Sequence, residues 1–296
     1  MISYTAAVRD YPYTSALKAG ERAPAGCRLE FADIDPIHKA FAPMVRELRF
    51  DFSELALVTY LQAREAGKEL SALPVVLHGN FHHRSISRLT GGPIRGPKDL
   101  AGKRVGVRAY TQTTGLWVRA VLTEEYGVDS DEITWVTTEG PHVAEYVEPG
   151  NVERTSGSLV DLLVAGDIAA VLIGPQAIPA GAPLEPLIAD WQGAERAWYE
   201  RHSAVPINHM LTVRTDVLRN DPQAVRGVYE AFAAEIDAAS GAAPGGGPRR
   251  IGHGLDDSLV GSVRLAIDYA AQQHLITTKP TVDEIFADFH QYLDIR

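Results

Sequence analysis

The sequence predicts a two-lobed α/β protein with a ligand cleft between the lobes. Short apolar runs alternate along the chain with segments of helical periodicity, a pattern typical of β-α-β units. The predicted strands are residues 2–8, 73–77, 102–107, 133–136, 168–173 and 209–214. These runs fall into two clusters, divided by a segment near residues 91–102 that is rich in glycine and proline. We therefore expect two lobes, each with a largely parallel sheet.

The predicted helices depend on apolar residues spaced three and four apart. Ile37, Phe41 and Met44 show this spacing in the segment 35–48. The segment 52–65 carries Ser53, an acceptable amino-terminal cap, so that Glu54 falls at the start of the predicted helix. Further helices are predicted at residues 115–126, 158–165, 191–202, 221–239, 257–273 and 282–292.

The chain is expected to cross between the two lobes twice. It passes to the second cluster near residues 91–102 and returns near 203–214. We predict that residues 1–100 and 205–296 form lobe I and that residues 101–204 form lobe II. Ligands of such folds lie at the carboxyl ends of strands and the amino termini of helices, so the cleft is the expected binding site.

Composition narrows the function classes. The chain has 296 residues, of which 45% are hydrophobic and 22% charged, as in ordinary globular proteins. Its net charge of -10 argues against nucleic acid as a partner, although it is compatible with a locally basic pocket for a small anion. Cys27 stands alone, so no internal disulfide can form. With neither a secretory-signal pattern nor a long apolar run, we expect a cytoplasmic protein without a membrane partner.

Four stretches are specific enough to indicate a family. They are GKRVGVRAYTQTTGLWVRAVLTEEYGV at 102–128, ERAWYERHSAVPINHMLTV at 195–213, FDFSELALVTYL at 50–61 and TVDEIFADF at 281–289. Together they resemble the 4,5-dihydroxyphthalate decarboxylase family, which is similar to the type II periplasmic substrate-binding proteins. The resemblance implies the type II two-lobed fold. It also implies decarboxylation of a hydroxylated benzene dicarboxylate without a cofactor, which gives protocatechuate in the type case.

The chain departs from the family pattern at four places, several of them near the expected cleft. It has Ala109-Tyr110-Thr111-Gln112-Thr113 where the family has Glu-Tyr-Gln-Met-Thr. It has Phe81-His82-His83-Arg84 for Phe-Arg-His-Ser, and Pro206-Ile207-Asn208-His209 for Pro-Ile-Met-His. It has His253-Gly254 for an aromatic residue followed by glycine. Three of the four changes introduce a more polar or ionisable residue. The identity of the substrate therefore stays open, while the decarboxylation chemistry is expected to persist.

Decarboxylation of an aromatic ring needs a proton donor near the carbon that loses carbon dioxide, and anchors for the substrate anions. His83 matches the histidine of the family's Phe-x-His motif and is the first candidate for the donor. His209, in the Pro-Ile-x-His segment, is the second. Glu54 could orient a histidine or hold a ring hydroxyl.

Other residues are candidates for binding the substrate. His82 and Arg84 are candidate carboxylate anchors beside His83. The loop before the helix at 115–126 offers free backbone N–H groups and hydroxyls, which together suit a carboxylate. Gly174 ends a predicted strand and would let the backbone approach a ligand closely. The full set of predicted binding residues is His82, Arg84, Thr111, Gln112, Thr113, Thr114, Gly174 and Tyr11.

Alternatives to this interpretation stay open. A zinc or manganese site would need His78, His82, His83, His209 and His253 to converge with Glu54, but no HExxH motif or cysteine pair supports it, so no metal or cofactor is expected. The chain could instead bind a small anion without chemistry, as an importer's receptor does, or be a lyase or isomerase acting on another small acid. A homo-oligomer is compatible with the sequence.

Overall fold

The computed structural model describes residues 2–241 and 248–293 of the chain. Within these residues the strands form two six-stranded sheets. The strands are β1 (Ile2–Ala7), β2 (Cys27–Phe31), β3 (Phe52–Ala56), β4 (Leu70–Gly79), β5 (Ile86–Leu89), β6 (Arg104–Val107), β7 (Thr134–Thr137), β8 (Val152–Arg154), β9 (Ala170–Leu172), β10 (Leu184–Pro186), β11 (Ile207–Arg214) and β12 (Gly252–His253).

Helices cover both sheets and connect their strands. They are α1 (Ser15–Lys18), α2 (Phe41–Glu47), α3 (Leu57–Glu65), α4 (Thr113–Tyr126), α5 (Leu159–Ala165), α6 (Trp191–His202), α7 (Thr215–Asn220), α8 (Pro222–Gly241), α9 (Asp257–Gln272), α10 (Val282–Ile285) and α11 (Ala287–Leu293). In the part of the chain that the structure describes, no helix is long and apolar enough to span a membrane.

The order of the strands confirms the predicted two-lobed α/β fold. The first sheet has the order β12-β4-β11-β3-β1-β2 and the second has the order β10-β5-β9-β6-β7-β8. In chain order, the first strand of the second sheet is β5, which lies within the range 1–100 predicted for lobe I. The exact lobe boundaries therefore stay a prediction, whereas the discontinuous first lobe is visible in the return of β11 and β12 to the first sheet.

Both sheets are mixed, whereas the sequence predicted largely parallel ones. Strand β1 is parallel to β2 and β3, but β11 is antiparallel to both β3 and β4. In the second sheet β6 is parallel to β7 and β9, while β5 is antiparallel to β9 and β10. Strands β5 and β11 are the first strands after the two crossings between the lobes. Each of them runs antiparallel to both of its neighbours.

The start of the predicted helix 52–65 is wrong. Residues 52–56 form β3, and the helix α3 begins only at Leu57. All five residues of β3 are buried, and the strand pairs with β1 on one side and β11 on the other. Ladder hydrogen bonds on both sides and complete burial outweigh the local helical pattern. Glu54 thus sits on an inner strand and does not cap a helix.

Helix α4 fastens the second lobe to the first. The Trp117 indole Nε1 donates to the backbone oxygen of Ile207, 2.9 Å away. The fully buried Arg119 donates from Nε to Gln273 Oε1 at 2.7 Å and from Nη2 to the Tyr110 carbonyl at 3.0 Å. The Tyr110 hydroxyl donates in turn to the Gln273 carbonyl. These contacts fix α4 against the first lobe, where the helix meets the start of β11.

Candidate functional site

A cavity of about 370 Å³ lies between the lobes. Its first-lobe wall includes residues at the ends of β1, β3, β4 and β11, and its second-lobe wall includes the amino terminus of α4. A larger cavity of about 620 Å³ lies beside β5, β6 and α5 and contains none of the predicted site residues. The interlobe cavity is therefore the candidate site.

His209 in the cavity wall pairs with Glu54, which is buried behind it. His209 of β11 is paired with Ala56 of β3. Glu54 lies on β3 two residues before Ala56, so His209 is its diagonal neighbour across the two strands. His209 Nδ1 lies 2.5 Å from Glu54 Oε1, and the Glu54 side chain is completely buried. His209 lines the cavity while Nδ1 is held by Glu54, so Nε2 is the nitrogen left for a ligand.

The remaining acceptor positions of Glu54 are also filled. The Arg9 backbone N–H donates to Oε2 at 3.0 Å, and the Tyr11 hydroxyl donates to Oε1 at 2.7 Å. Burial raises the pKa of Glu54, but the hydrogen bond and charge of His209, together with these two donors, outweigh it. The net pKa lies below the ordinary value, so Glu54 is a carboxylate at neutral pH.

Three further histidines line the cavity and are held neutral. Burial and the nearby His209 lower the pKa of His78 to about 4. Burial and Arg108 lower the pKa of His142 to about 4 and lower that of His38 as well. These rings can exchange hydrogen bonds with a ligand without adding charge.

Two arginines make the cavity suitable for an anion. Arg9 follows β1 and Arg108 follows β6, so each lies at the carboxyl end of a strand in its own lobe. Arg108 Nη1 is 2.6 Å from Glu139 Oε2. The exposed Arg9 guanidinium lies 5.4 Å from the Tyr11 ring centroid and has no ion pair with the described residues. Arg9 is therefore the cation that is free to receive a carboxylate, with Asp35 as the acidic group on the same rim.

The segment Thr111 to Thr114 forms the opposite wall, as its place before a helix predicted. Thr113 Oγ1 accepts the Val58 backbone N–H at 3.2 Å, and Thr114 Oγ1 accepts from Asn208 Nδ2 at 3.2 Å. These two hydroxyls thus bind the first lobe. Thr111 Oγ1 and Gln112 Oε1 are buried and have no hydrogen-bond partner among the described residues.

The structure places the first candidate for the proton donor elsewhere. His83 lies on a 3₁₀ turn, is 1% exposed, and points its Nε2 at the Glu125 carboxylate, 3.3 Å away. Its ring meets the edge of Trp198. His83 is absent from the described cavity wall because the turn directs it between α4 and α6. This position does not fit the role that the motif suggested.

The other predicted residues divide between the cavity and its surroundings. His82 is buried behind the wall, where its Nε2 donates to Asn208 Oδ1 at 2.7 Å. Arg84 is exposed and stacks over Trp191. Gly174 is exposed and precedes the 3₁₀ turn Pro175–Ala177, of which only Ala177 lines the cavity. Tyr11 acts on the cavity indirectly, through Glu54.

The five histidines of the metal alternative do not converge. His253 pairs with Asp237 at 3.0 Å, while His82 and His83 face Asn208 and Glu125. Only His78 and His209 lie together in the cavity, with ring centroids 5.5 Å apart. In the described ranges, no group of three or more His, Cys, Asp or Glu side chains is arranged to hold a metal ion.

Sequence reasoning missed four of the polar cavity residues. They are Arg9, Arg108, His38 and His142. Arg9 and Arg108 each follow a predicted strand directly, so the rule that ligands lie at carboxyl strand ends could have identified both. His38 and His142 lie in segments without a motif, and nothing in the sequence pattern pointed to them.

The two sheets and the cavity between them form the type II periplasmic-binding-protein fold. The alkanesulfonate-binding protein SsuA from Xanthomonas axonopodis pv. citri, solved with MOPS bound, has a TM-score of 0.61 at 14% identity. The match covers 96% of this chain and 98% of that one, which establishes the fold. Residues 41–164 match the family described as NMT1/THI5 like.

Sequence relatives identify the family within this class. A 4,5-dihydroxyphthalate decarboxylase from Comamonas testosteroni is 32% identical over 67% of this chain and 66% of its own length, just under two thirds. A 4,5-dihydroxyphthalate decarboxylase from Pseudomonas putida is 31% identical over 67% of this chain and 81% of its own length. The chain belongs to the 4,5-dihydroxyphthalate decarboxylase family, as the four sequence stretches predicted.

Proposed function

We propose that this chain removes carbon dioxide, without a cofactor, from a small hydroxylated aromatic dicarboxylate such as 4,5-dihydroxyphthalate. The observation that carries the proposal is the Glu54–His209 pair in the wall of an interlobe cavity that also holds a free arginine. The names of the two sequence relatives support this choice of substrate. A receptor needs only to hold its ligand, whereas a carboxylate-held histidine suits proton transfer.

The proton is supplied by His209. The imidazolium donates it from Nε2 to the ring carbon that bears the leaving carboxylate. The bond from that carbon to the carboxyl group then breaks, carbon dioxide departs, and the electron pair of the bond restores the aromatic ring. A ring hydroxyl para to the reacting carbon supplies the electron density that makes protonation possible. Glu54 fixes the orientation of the imidazole and stabilises its positive charge, as carboxylates do in other histidine pairs.

The retained carboxylate is bound by Arg9. Its guanidinium sits at the same end of the sheet as the Glu54–His209 pair, since its own backbone N–H contacts Glu54. A charge-assisted hydrogen bond to one carboxylate leaves the other beside His209. The half-buried, neutral His78 on the adjacent strand limits the number of charges that solvate the leaving group.

The experiment is to incubate the purified chain with 4,5-dihydroxyphthalate and to quantify carbon dioxide and 3,4-dihydroxybenzoate. We expect equal amounts of both products from the wild type. His209→Gln should lower kcat by about 10²- to 10⁴-fold, the usual contribution of a general acid. His290→Gln, at an exposed histidine of α11, is the matched control and should leave kcat unchanged. Binding of the acid by the wild type without any release of carbon dioxide would show that the chain is a receptor.

A further inference from the structure

We propose that Thr111 and Gln112 form a subsite for the ring hydroxyl of the substrate, opposite the carboxylate-binding wall. This inference rests on the proposed function and assigns one part of the substrate to one part of the cavity. It starts from two polar atoms in the cavity wall, Thr111 Oγ1 and Gln112 Oε1, that are buried without a hydrogen-bond partner among the described residues.

Burial without a partner is costly for a polar atom, and most such atoms in folded proteins have one. Thr111 is only 1% exposed. The neighbouring hydroxyls of Thr113 and Thr114 show the ordinary case, since both accept hydrogen bonds from the first lobe. Thr111 and Gln112 line the cavity, and their Oγ1 and Oε1 atoms make no such contact in the described chain, so we assign a ligand as their partner.

The chemistry of these atoms favours a hydroxyl over a carboxylate. An amide oxygen only accepts hydrogen bonds, so Gln112 Oε1 suits an O–H donor, whereas a carboxylate has no hydrogen to offer it. The Thr111 hydroxyl can donate to the same ligand oxygen. One phenolic hydroxyl can donate to the amide oxygen and accept from the threonine, which matches it to both side chains.

The position of the subsite agrees with the electronic demand of the reaction. Gln112 is the amino-terminal cap residue of α4, a helix of 14 residues, and makes no side-chain capping hydrogen bond. The positive end of the helix dipole stabilises negative charge on a nearby oxygen. An acceptor beside the hydroxyl hydrogen increases the electron density that the oxygen donates to the ring. Arg9 and His209 lie on the other lobe, and in 4,5-dihydroxyphthalate the carboxylates and hydroxyls occupy opposite edges of the ring.

The test compares the affinities for phthalate and 4-hydroxyphthalate, which differ by one hydroxyl. Calorimetry would measure both Kd values in the wild type and in a His209→Gln background, where turnover cannot interfere. We expect 4-hydroxyphthalate to bind about 10- to 100-fold more tightly than phthalate. Thr111→Val and Gln112→Met each remove one partner at nearly constant volume, and together should reduce this ratio to about one while the Kd for phthalate changes less than about threefold.

The control is Gln192→Met, an exposed glutamine on α6 outside the interlobe cavity, which should keep the full ratio. A ratio that persists in the Thr111→Val, Gln112→Met chain would place the hydroxyl elsewhere and overturn the subsite. If the ratio of the two Kd values falls to about one in the double variant, but the wild type releases no carbon dioxide from 4,5-dihydroxyphthalate, the subsite is supported and the proposed decarboxylation is wrong. If neither acid binds the wild type, both proposals are wrong.

Discussion

Replacing Glu54 with glutamine tests the proposed proton donor most directly. The amide of the Glu54→Gln variant would keep one acceptor oxygen, which serves either the Arg9 backbone N–H, now on Oε2, or the Tyr11 hydroxyl, now on Oε1, and the negative charge beside His209 would be lost. The pair is short, at 2.5 Å, and Glu54 is completely buried, so its hydrogen bond belongs to the strong, charge-assisted kind. Such a bond is worth about 3 kcal/mol, and about 1.4 kcal/mol corresponds to a factor of ten. We therefore expect kcat to fall by about 100-fold.

Substrate binding should change little in this variant, because Glu54 does not line the cavity itself. The KM for 4,5-dihydroxyphthalate should stay within about threefold of the wild-type value, since the substrate's own partners are untouched. Steady-state kinetics by continuous carbon dioxide detection at about neutral pH would measure both constants. The melting temperature would confirm that the variant is folded.

The chain offers a matched control in Glu125. This carboxylate contacts the buried His83 as Glu54 contacts His209, but the contact lies outside the cavity. Glu125→Gln should leave kcat within about twofold of wild type. The reasoning is refuted if Glu125→Gln lowers kcat and Glu54→Gln does not, because His83 would then be the donor, as its sequence motif suggested.

Three other outcomes are expected. Arg9→Gln should raise KM about 10- to 100-fold with little change in kcat, since it removes a charge-assisted anchor, whereas the exposed Arg28→Gln should leave both constants unchanged. Burial lowers the pKa of His82 from 6.5 to about 3, so this ring is neutral in the folded chain but protonated in the unfolded chain below pH 6.5. The contribution of His82 to the free energy of unfolding is complete above about pH 6.5 and falls by about 1.4 kcal/mol per pH unit toward about pH 3. In urea unfolding, His82→Gln should make the free energy of unfolding less dependent on pH in this range. Gly227→Ala should destabilise the fold by about 1–3 kcal/mol, because a Cβ there would overlap the Ala25 carbonyl oxygen. Gly261→Ala, where the nearest atom is 3.8 Å away, should stabilise it by up to about 1 kcal/mol in thermal unfolding.

Periodicity was sufficient to predict the fold because six of the twelve described strands are apolar runs and most helices have one apolar face. The prediction was wrong at β3, whose five buried residues continue into α3 without a turn residue between them. Local sequence cannot show that β1 and β11 will pair with this segment. The chain direction of β5 and β11 was equally inaccessible, because it depends on where the crossings enter each sheet.

The candidate site was predictable where it follows strand ends and helix starts, and not where it depends on the direction of a side chain. Thr111 was predicted from the loop before a helix and His209 from the Pro-Ile-x-His segment, and both lie in the cavity wall. His83 was named because it matches the histidine of the family's Phe-x-His motif, but the backbone of the 3₁₀ turn points it at Glu125. The position of the His142 ring depends on its contacts with Phe41 and Thr59, which are remote in sequence.

The position of β11 has a consequence for synthesis on the ribosome. Strands β3 and β4 follow each other in the chain, yet they cannot pair, because β11 occupies the place between them. That strand emerges only after the entire second sheet has been made. Until then the edges of β3 and β4 that pair with β11 in the folded chain lack this partner, and unpaired strand edges are sites of aggregation. Glu54 meets His209 through the same strand, so the pair proposed for proton transfer cannot form before the second sheet has been synthesised.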